Sequence, residues 1–229
     1  MKILIDYIIK FFKLNAPISF VKLNNFYFIV DCWNNRILYS KNLSLPVFFW
    51  NSIKGLNRPH KIIFFNEYYF ICDTDNHKII KLDQNFKNVN FIGKFKFIRP
   101  HDIVIFDNSL LIIDGGIERS RVIKINPRNE LCKTIFQFPH SYSRSIYIHN
   151  KNLYVCSSSN GIIRIISMKT SKIKEITSFS DSNLLTELNL NFQNINGTKR
   201  FIPNGVIKYE NFWYLTNYFL NGTRNRFIQ

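Results

Sequence analysis

Apolar and polar positions along the 229-residue chain fall into short blocks, not helical stripes. Residues 61–65 form an apolar run that meets the pair Asn66-Glu67, and a second run follows at 68–72. The polar segment Asp73-Thr-Asp-Asn-His77 leads to a third run at 78–82, and Asp83-Gln-Asn85 turns the chain into a fourth at 88–95. Short runs rich in Ile, Val, Phe and Tyr, bounded by Asn and Asp, are strand signals, and two-residue Asn-containing breaks are hairpin signals. No stretch sustains an apolar period of 3.6; residues 181–190 are the one candidate for a short helix.

This block pattern recurs. Asn57-Arg-Pro-His-Lys-Ile-Ile-Phe-Phe-Asn-Glu-Tyr-Tyr-Phe-Ile-Cys-Asp73 aligns without a gap with Ile98-Arg-Pro-His-Asp-Ile-Val-Ile-Phe-Asp-Asn-Ser-Leu-Leu-Ile-Ile-Asp114. The same frame fits around Asp31, Ser157 and Asn217, so the copies are anchored at 31, 73, 114, 157 and 217, with steps of 42, 41, 43 and 60. The long last step places an insertion at about residues 178–200. Four short antiparallel strands per unit of this length are the signature of a propeller blade. The expected fold is therefore all-β: one domain, residues 1–229, forming a five-bladed β-propeller of four-stranded antiparallel blades. The fifth copy ends after its third strand, so an apolar N-terminal strand (residues 3–12) is expected to complete that blade and close the ring. A six-bladed or incomplete propeller is the alternative.

Val30-Asp31-Cys-Trp-Asn-Asn-Arg36-Ile37 and Cys72-Asp73-Thr-Asp-Asn-His-Lys78-Ile79 resemble the Asp-x-x-Asn-x-Arg-Ile segment of NHL-repeat propellers. The third copy, Asp114 to Arg121-Val122, carries two extra residues; the fourth replaces the acid with Ser157, and the fifth keeps only Arg226-Phe227. Some propellers of this family bind single-stranded RNA on a basic face, which the resemblance extends to this chain as an expectation.

Charge adds to that picture. There are 31 Lys and Arg against 15 Asp and Glu, a formal net charge of +16 and a pI of 9.8. Such an excess points to an anionic macromolecular partner, RNA or an acidic glycan. The anion-binding set is Arg36, Lys78, Arg121 and Arg226, repeating at the start of the third strand, together with Arg144. Cys32, Cys72, Cys132 and Cys156 are far apart and form no CxxC pair, which argues against a zinc ribbon or redox dithiol. Asp6, Lys10 and Lys13 interrupt the N-terminal apolar run, and no window holds the roughly 18 apolar residues of a membrane helix. A cytoplasmic monomer without a membrane span is expected, secretion being the lesser alternative.

Candidate chemistry lies near the start of each innermost strand, at Ile18, His60, His101, Arg144 and Asn204, which in a propeller would line the central channel. Pro59-His60 and Pro100-His101 look like the Pro-His zinc ligands of peptidylglycine amidating lyases, propellers of similar repeats. With His140 they form a candidate site for a divalent metal, zinc or calcium, and support lyase or hydrolase chemistry as an alternative to binding without catalysis. No resident cofactor is otherwise expected. Asp31, Asp73 and Asp114 recur at one position, which favours a turn-stabilising role. His77 reads as structural and His149, beside a turn, as solvent-exposed. Neither a P-loop, a GxGxxG nor a Ser-His-Asp order is present. A scaffold for protein partners, contacted through the insertion, is a third reading.

Overall fold

The computed structural model describes residues 13–89, 91, 95–116, 118–176, 203–217 and 226–228. They form antiparallel sheets in chain order. The first holds β1 (Pro17–Leu23), β2 (Phe26–Asp31), β3 (Arg36–Ser40) and β4 (Asn51–Ile53). The second holds β5 (Pro59–Phe65), β6 (Tyr68–Asp73), β7 (Lys78–Leu82) and β8 (Asn88–Val89). The third comprises β9 (Pro100–Phe106), β10 (Ser109–Gly115), β11 (Arg119–Ile125) and β12 (Cys132–Pro139). The fourth comprises β13 (Ser143–His149), β14 (Asn152–Ser157), β15 (Ile162–Ser167) and β16 (Ile173–Ile176). The last has β17 (Pro203–Tyr209), β18 (Phe212–Asn217) and β19 (Arg226–Ile228).

Among the described residues there are thus four complete four-stranded blades, not the five expected, and the fifth sheet has three strands. A fourth strand in that sheet would have to lie beside β19. The segment expected to supply it, residues 3–12, lies outside the described residues, as does the candidate helix at 181–190. Ring closure is accordingly not shown. No helix among the described residues is long and apolar enough to cross a membrane.

The chain divides into two compact units, residues 1–101 and 102–229. In the first, Phe28, Val30 and Ile37 of the first sheet pack with Ile62, Tyr69, Ile71 and Leu82 of the second. In the second, Leu111, Ile113 and Val122 meet Ile146, Leu153 and Val155, and Tyr154 and Cys156 meet Val206, Trp213 and Leu215. The core therefore lies between the faces of consecutive sheets. That is why the second strand of each sheet is an apolar run instead of an alternating one: it is covered on both faces.

The first hairpin of each sheet is tight. Asn66 and Glu67, Asp107 and Asn108, and Asn150 and Lys151 all have positive φ at both turn positions, the geometry of a two-residue type I′ turn that matches strand twist. Gly115, at the end of β10, is fixed by crowding instead: a Cβ there would lie 2.5 Å from Arg119 O and from Ser120 Cα.

Candidate ligand-binding site

The first strand of a sheet pairs regularly with the second except at one point. Pro17 opposes Asp31 and Ser19 opposes Val30, so Ile18 is skipped. His60, Arg144 and Asn204 are skipped in the same way, after Pro59, Ser143 and Pro203. A bulge re-aims the residue left out of the ladder, and bulges concentrate beside binding sites. Four of the five positions singled out in the sequence, Ile18, His60, Arg144 and Asn204, are therefore bulge residues, a feature invisible to strand periodicity. The fifth, His101, sits in β9 and is buried.

His60 and His101 come together, their ring centroids 4.7 Å apart at an interplanar angle of 45°. His60 Nδ1 lies 2.8 Å from Arg58 O, an atom that only accepts, so Nδ1 carries the proton. Thr74 Oγ1 donates to Pro100 O at 2.7 Å and so accepts from the same Nδ1 at 2.9 Å. Nε2 is thereby the basic nitrogen of neutral His60, and the ring is oriented by a backbone carbonyl, as metal-ligating and proton-transferring imidazoles commonly are.

Sequence reading gave Asp75 no role. Asp75 binds Arg99 through Nε (2.9 Å) and Nη2 (2.6 Å) and lies 3.4 Å from Arg58 Nη1. The Arg that precedes Pro-His in both copies was the available signal; its partner was not, because Asp75 has no counterpart in the other repeats.

His140 follows β12, exposed and with φ 51°, its N–H donating to Glu118 O at 2.6 Å. Among the described residues no group of three or more His, Cys, Asp or Glu is placed to hold an ion. The two histidines that meet fit two positions of a zinc shell, which requires a third protein ligand.

The recurring aspartates are buried hubs. Asp31 accepts from Asn15 N (2.7 Å), Asn34 Nδ2 (2.8 Å) and Arg36 Nε (2.7 Å). Asp73 repeats this with Asn57 N (2.7 Å), Asn76 Nδ2 (2.8 Å) and Lys78 Nζ (3.7 Å). Asp114 pairs with Arg121 Nε at 2.9 Å. Burial raises the Asp73 carboxyl above its usual value, opposed by the Asn57 and Asn76 hydrogen bonds and by Lys78. Three of the cations expected to meet an external anion, Arg36, Lys78 and Arg121, thus face internal carboxylates. In the fourth sheet Ser157 replaces the acid, and a buried hydroxyl cluster forms: Ser141 Oγ lies 2.7 Å from Ser157 Oγ and 3.0 Å from Ser143 Oγ. Arg164, two positions further on than the repeat would place it, donates to Glu175 at 2.8 Å.

Arg144 lies half-buried, its guanidinium 5.5 Å from the Tyr142 ring. Ile18 is 44% exposed, Asn204 half-buried, and the side chain of Arg226 lies outside the described residues. His77 occupies the left-handed position after a 3-10 turn, as Asn35 does one repeat earlier, and its Nδ1 contacts Ile98 O. His149 is not solvent-exposed as expected: it lies half-buried, edge-on to Trp213 at 5.4 Å, because the neighbouring strand pair brings that indole over the turn. None of the four cysteines forms a disulfide; burial pushes the Cys156 thiol up and the Cys132 thiol up to about 11, with Glu130 adding to the latter.

No protein-family model matches the sequence, and no curated protein matches it. Solved structures do. Virginiamycin B lyase from Staphylococcus aureus superposes with a TM-score of 0.61 at 13% identity, over 86% of this chain and 62% of that one. A chain of the nidogen/laminin complex gives 0.64 at 10% identity, over 89% and 73%. A streptogramin B lyase gives 0.59 at 12% identity, over 92% and 67%. The fold is a β-propeller. The chain spans less than two thirds of the first lyase it matches, and likeness at this identity carries the fold and not the activity.

Proposed function

We propose that the protein is an NHL-like, non-catalytic propeller module that engages an anionic partner, RNA or an acidic glycan, acting as a monomer in the cytoplasm. One observation carries this reading. The pairs Asp31–Arg36, Asp73–Lys78 and Asp114–Arg121 are each neutral, so the surplus of +16 resides on the remaining, largely solvent-facing cations. A surface of that sign attracts polyanions with strong salt dependence. Arg144, held over Tyr142 at a bulge, supports both charge pairing and stacking on a base or sugar. Arg36 and Arg121 serve the fold first; Lys78, with half its side chain exposed, retains the freedom to meet an anion.

The test is retention on single-stranded RNA and on a sulfated glycan across a salt series. Binding that falls steeply with salt, and about tenfold in Arg144→Glu, supports the reading; retention no greater than that of a neutral protein overturns it.

A second reading, metal-assisted lyase or hydrolase chemistry, is favoured by the His60–His101 contact and the oriented His60 ring. Two of the similar structures are lyases. Metal analysis of purified protein, with His60→Ala and His101→Ala as controls, separates the two: stoichiometric metal lost in both variants favours the enzyme. The nidogen/laminin neighbour keeps a protein partner as the third reading.

A further inference from the structure

The segment between β3 and β4 inverts the usual order of inside and outside. Leu43, Leu45, Phe48 and Phe49 are 53%, 41%, 50% and 64% exposed, while Val47 packs inward and Trp50 is buried against Ile29 and Leu38. The Phe48 and Phe49 rings lie 4.3 Å apart. Four large apolar side chains exposed within one seven-residue stretch are more than the single, scattered exposure that any surface shows.

Part of the tip's backbone is hydrogen-bonded from within the loop. Asn42 N donates to Ser40 Oγ (3.0 Å), Ser44 N to Asn42 Oδ1 (2.9 Å) and Leu45 N to Asn42 O (3.4 Å). Phe49 N donates to Pro46 O (2.9 Å), Trp50 N to Val47 O (3.1 Å) and Trp50 Nε1 to Leu45 O (2.9 Å), while Pro46 has no N–H to satisfy. Each of these internal bonds is one that the loop need not seek from water when its apolar side chains enter a membrane interface.

Charge identifies the occupant. Between residues 13 and 57 the only acid is Asp31, buried and paired with Arg36. Lys41 adjoins the tip in sequence, its ammonium 5.1 Å from the Phe26 ring, and Lys22, on β1 two strands from β3, lies 5.2 Å from Tyr27. Exposed apolar side chains on a segment whose one acid is paired and whose remaining charges are lysines complement an anionic interface whose interior is apolar.

We propose that this β3–β4 loop is a membrane-docking loop that seats Leu43, Leu45, Phe48 and Phe49 in the surface of an anionic phospholipid bilayer, with Lys22 and Lys41 at the headgroups. It stands apart from the RNA or glycan reading, because it uses neither Arg144 nor the bulge residues.

The experiment is co-sedimentation of the full chain with vesicles of phosphatidylcholine containing about one third phosphatidylserine, and with phosphatidylcholine alone. Expected is binding to the first at least tenfold tighter than to the second. That binding falls about tenfold in Phe48→Ser/Phe49→Ser and in Lys22→Glu/Lys41→Glu, with RNA and glycan retention unchanged by the Phe pair. Both phenylalanines are exposed, so an unchanged circular dichroism spectrum is expected. A Phe48→Trp variant should show a blue-shifted emission quenched by brominated lipid. Absence of vesicle binding overturns the proposal, as does binding indifferent to the Phe pair. A change of oligomeric state in that variant also overturns it and assigns the tip to a second copy of the chain.

Discussion

The imidazoles of His60 and His101, which begin corresponding strands of successive repeats, meet with ring centroids 4.7 Å apart. Thr74 holds that geometry: its hydroxyl receives the His60 Nδ1 proton and passes its own to Pro100 O. Thr74 is buried, so Thr74→Val leaves Pro100 O without this donor and is expected to cost about 1–3 kcal/mol. Urea unfolding measures this, and Thr74→Ser should recover most of it. An unchanged midpoint in the valine variant would show the hydroxyl to be dispensable.

Equivalent cations differ in their worth. Arg36 is largely buried against Asp31, whereas Lys78 has 52% of its side chain exposed and stands 3.7 Å from Asp73. Arg36→Ala strands a buried carboxylate and is expected to cost about 2–4 kcal/mol; Lys78→Ala is expected to cost below about 1 kcal/mol. Equal losses in chemical denaturation would contradict this ranking.

Asp73 gives a pH dependence with a definite sign. Its carboxyl titrates above the unfolded value of 3.8, chiefly through desolvation. Its protonation therefore favours the folded state fully below that value, and this contribution is lost as pH rises through the folded pKa. The stability of wild type relative to Asp73→Asn should accordingly decline from strongly acid solution toward neutrality. A difference that grows over that window would reverse the assignment.

Lys151 occupies the second position of the β13–β14 turn at φ 59°, where its Cβ is crowded. Lys151→Gly removes that penalty and, after the entropic cost of glycine, should raise stability by about 0.5 kcal/mol. Differential scanning calorimetry should show a higher Tm, and a fall would mean that the lysine side chain is held by contacts elsewhere.

The linear order of residues determined the repeat and, through it, the all-β class, because a strand covered on both faces must be apolar throughout and a hairpin between two such strands must be short. Asp73-Thr-Asp-Asn-His77 was legible only in part: the Asn76 and Lys78 partners of Asp73 are a few positions away, but Asn57 is sixteen residues earlier. Tertiary structure decided the rest. Whether Arg36 faces water or Asp31, whether His149 is wet or lies against Trp213, and whether Phe48 and Phe49 enter the core or leave it all depend on which strand arrives alongside. Packing between distant segments sets those outcomes, and no local pattern encodes it. The bulges at Ile18, His60, Arg144 and Asn204 belong to the same class, since a register shift is a property of two paired strands and not of either one.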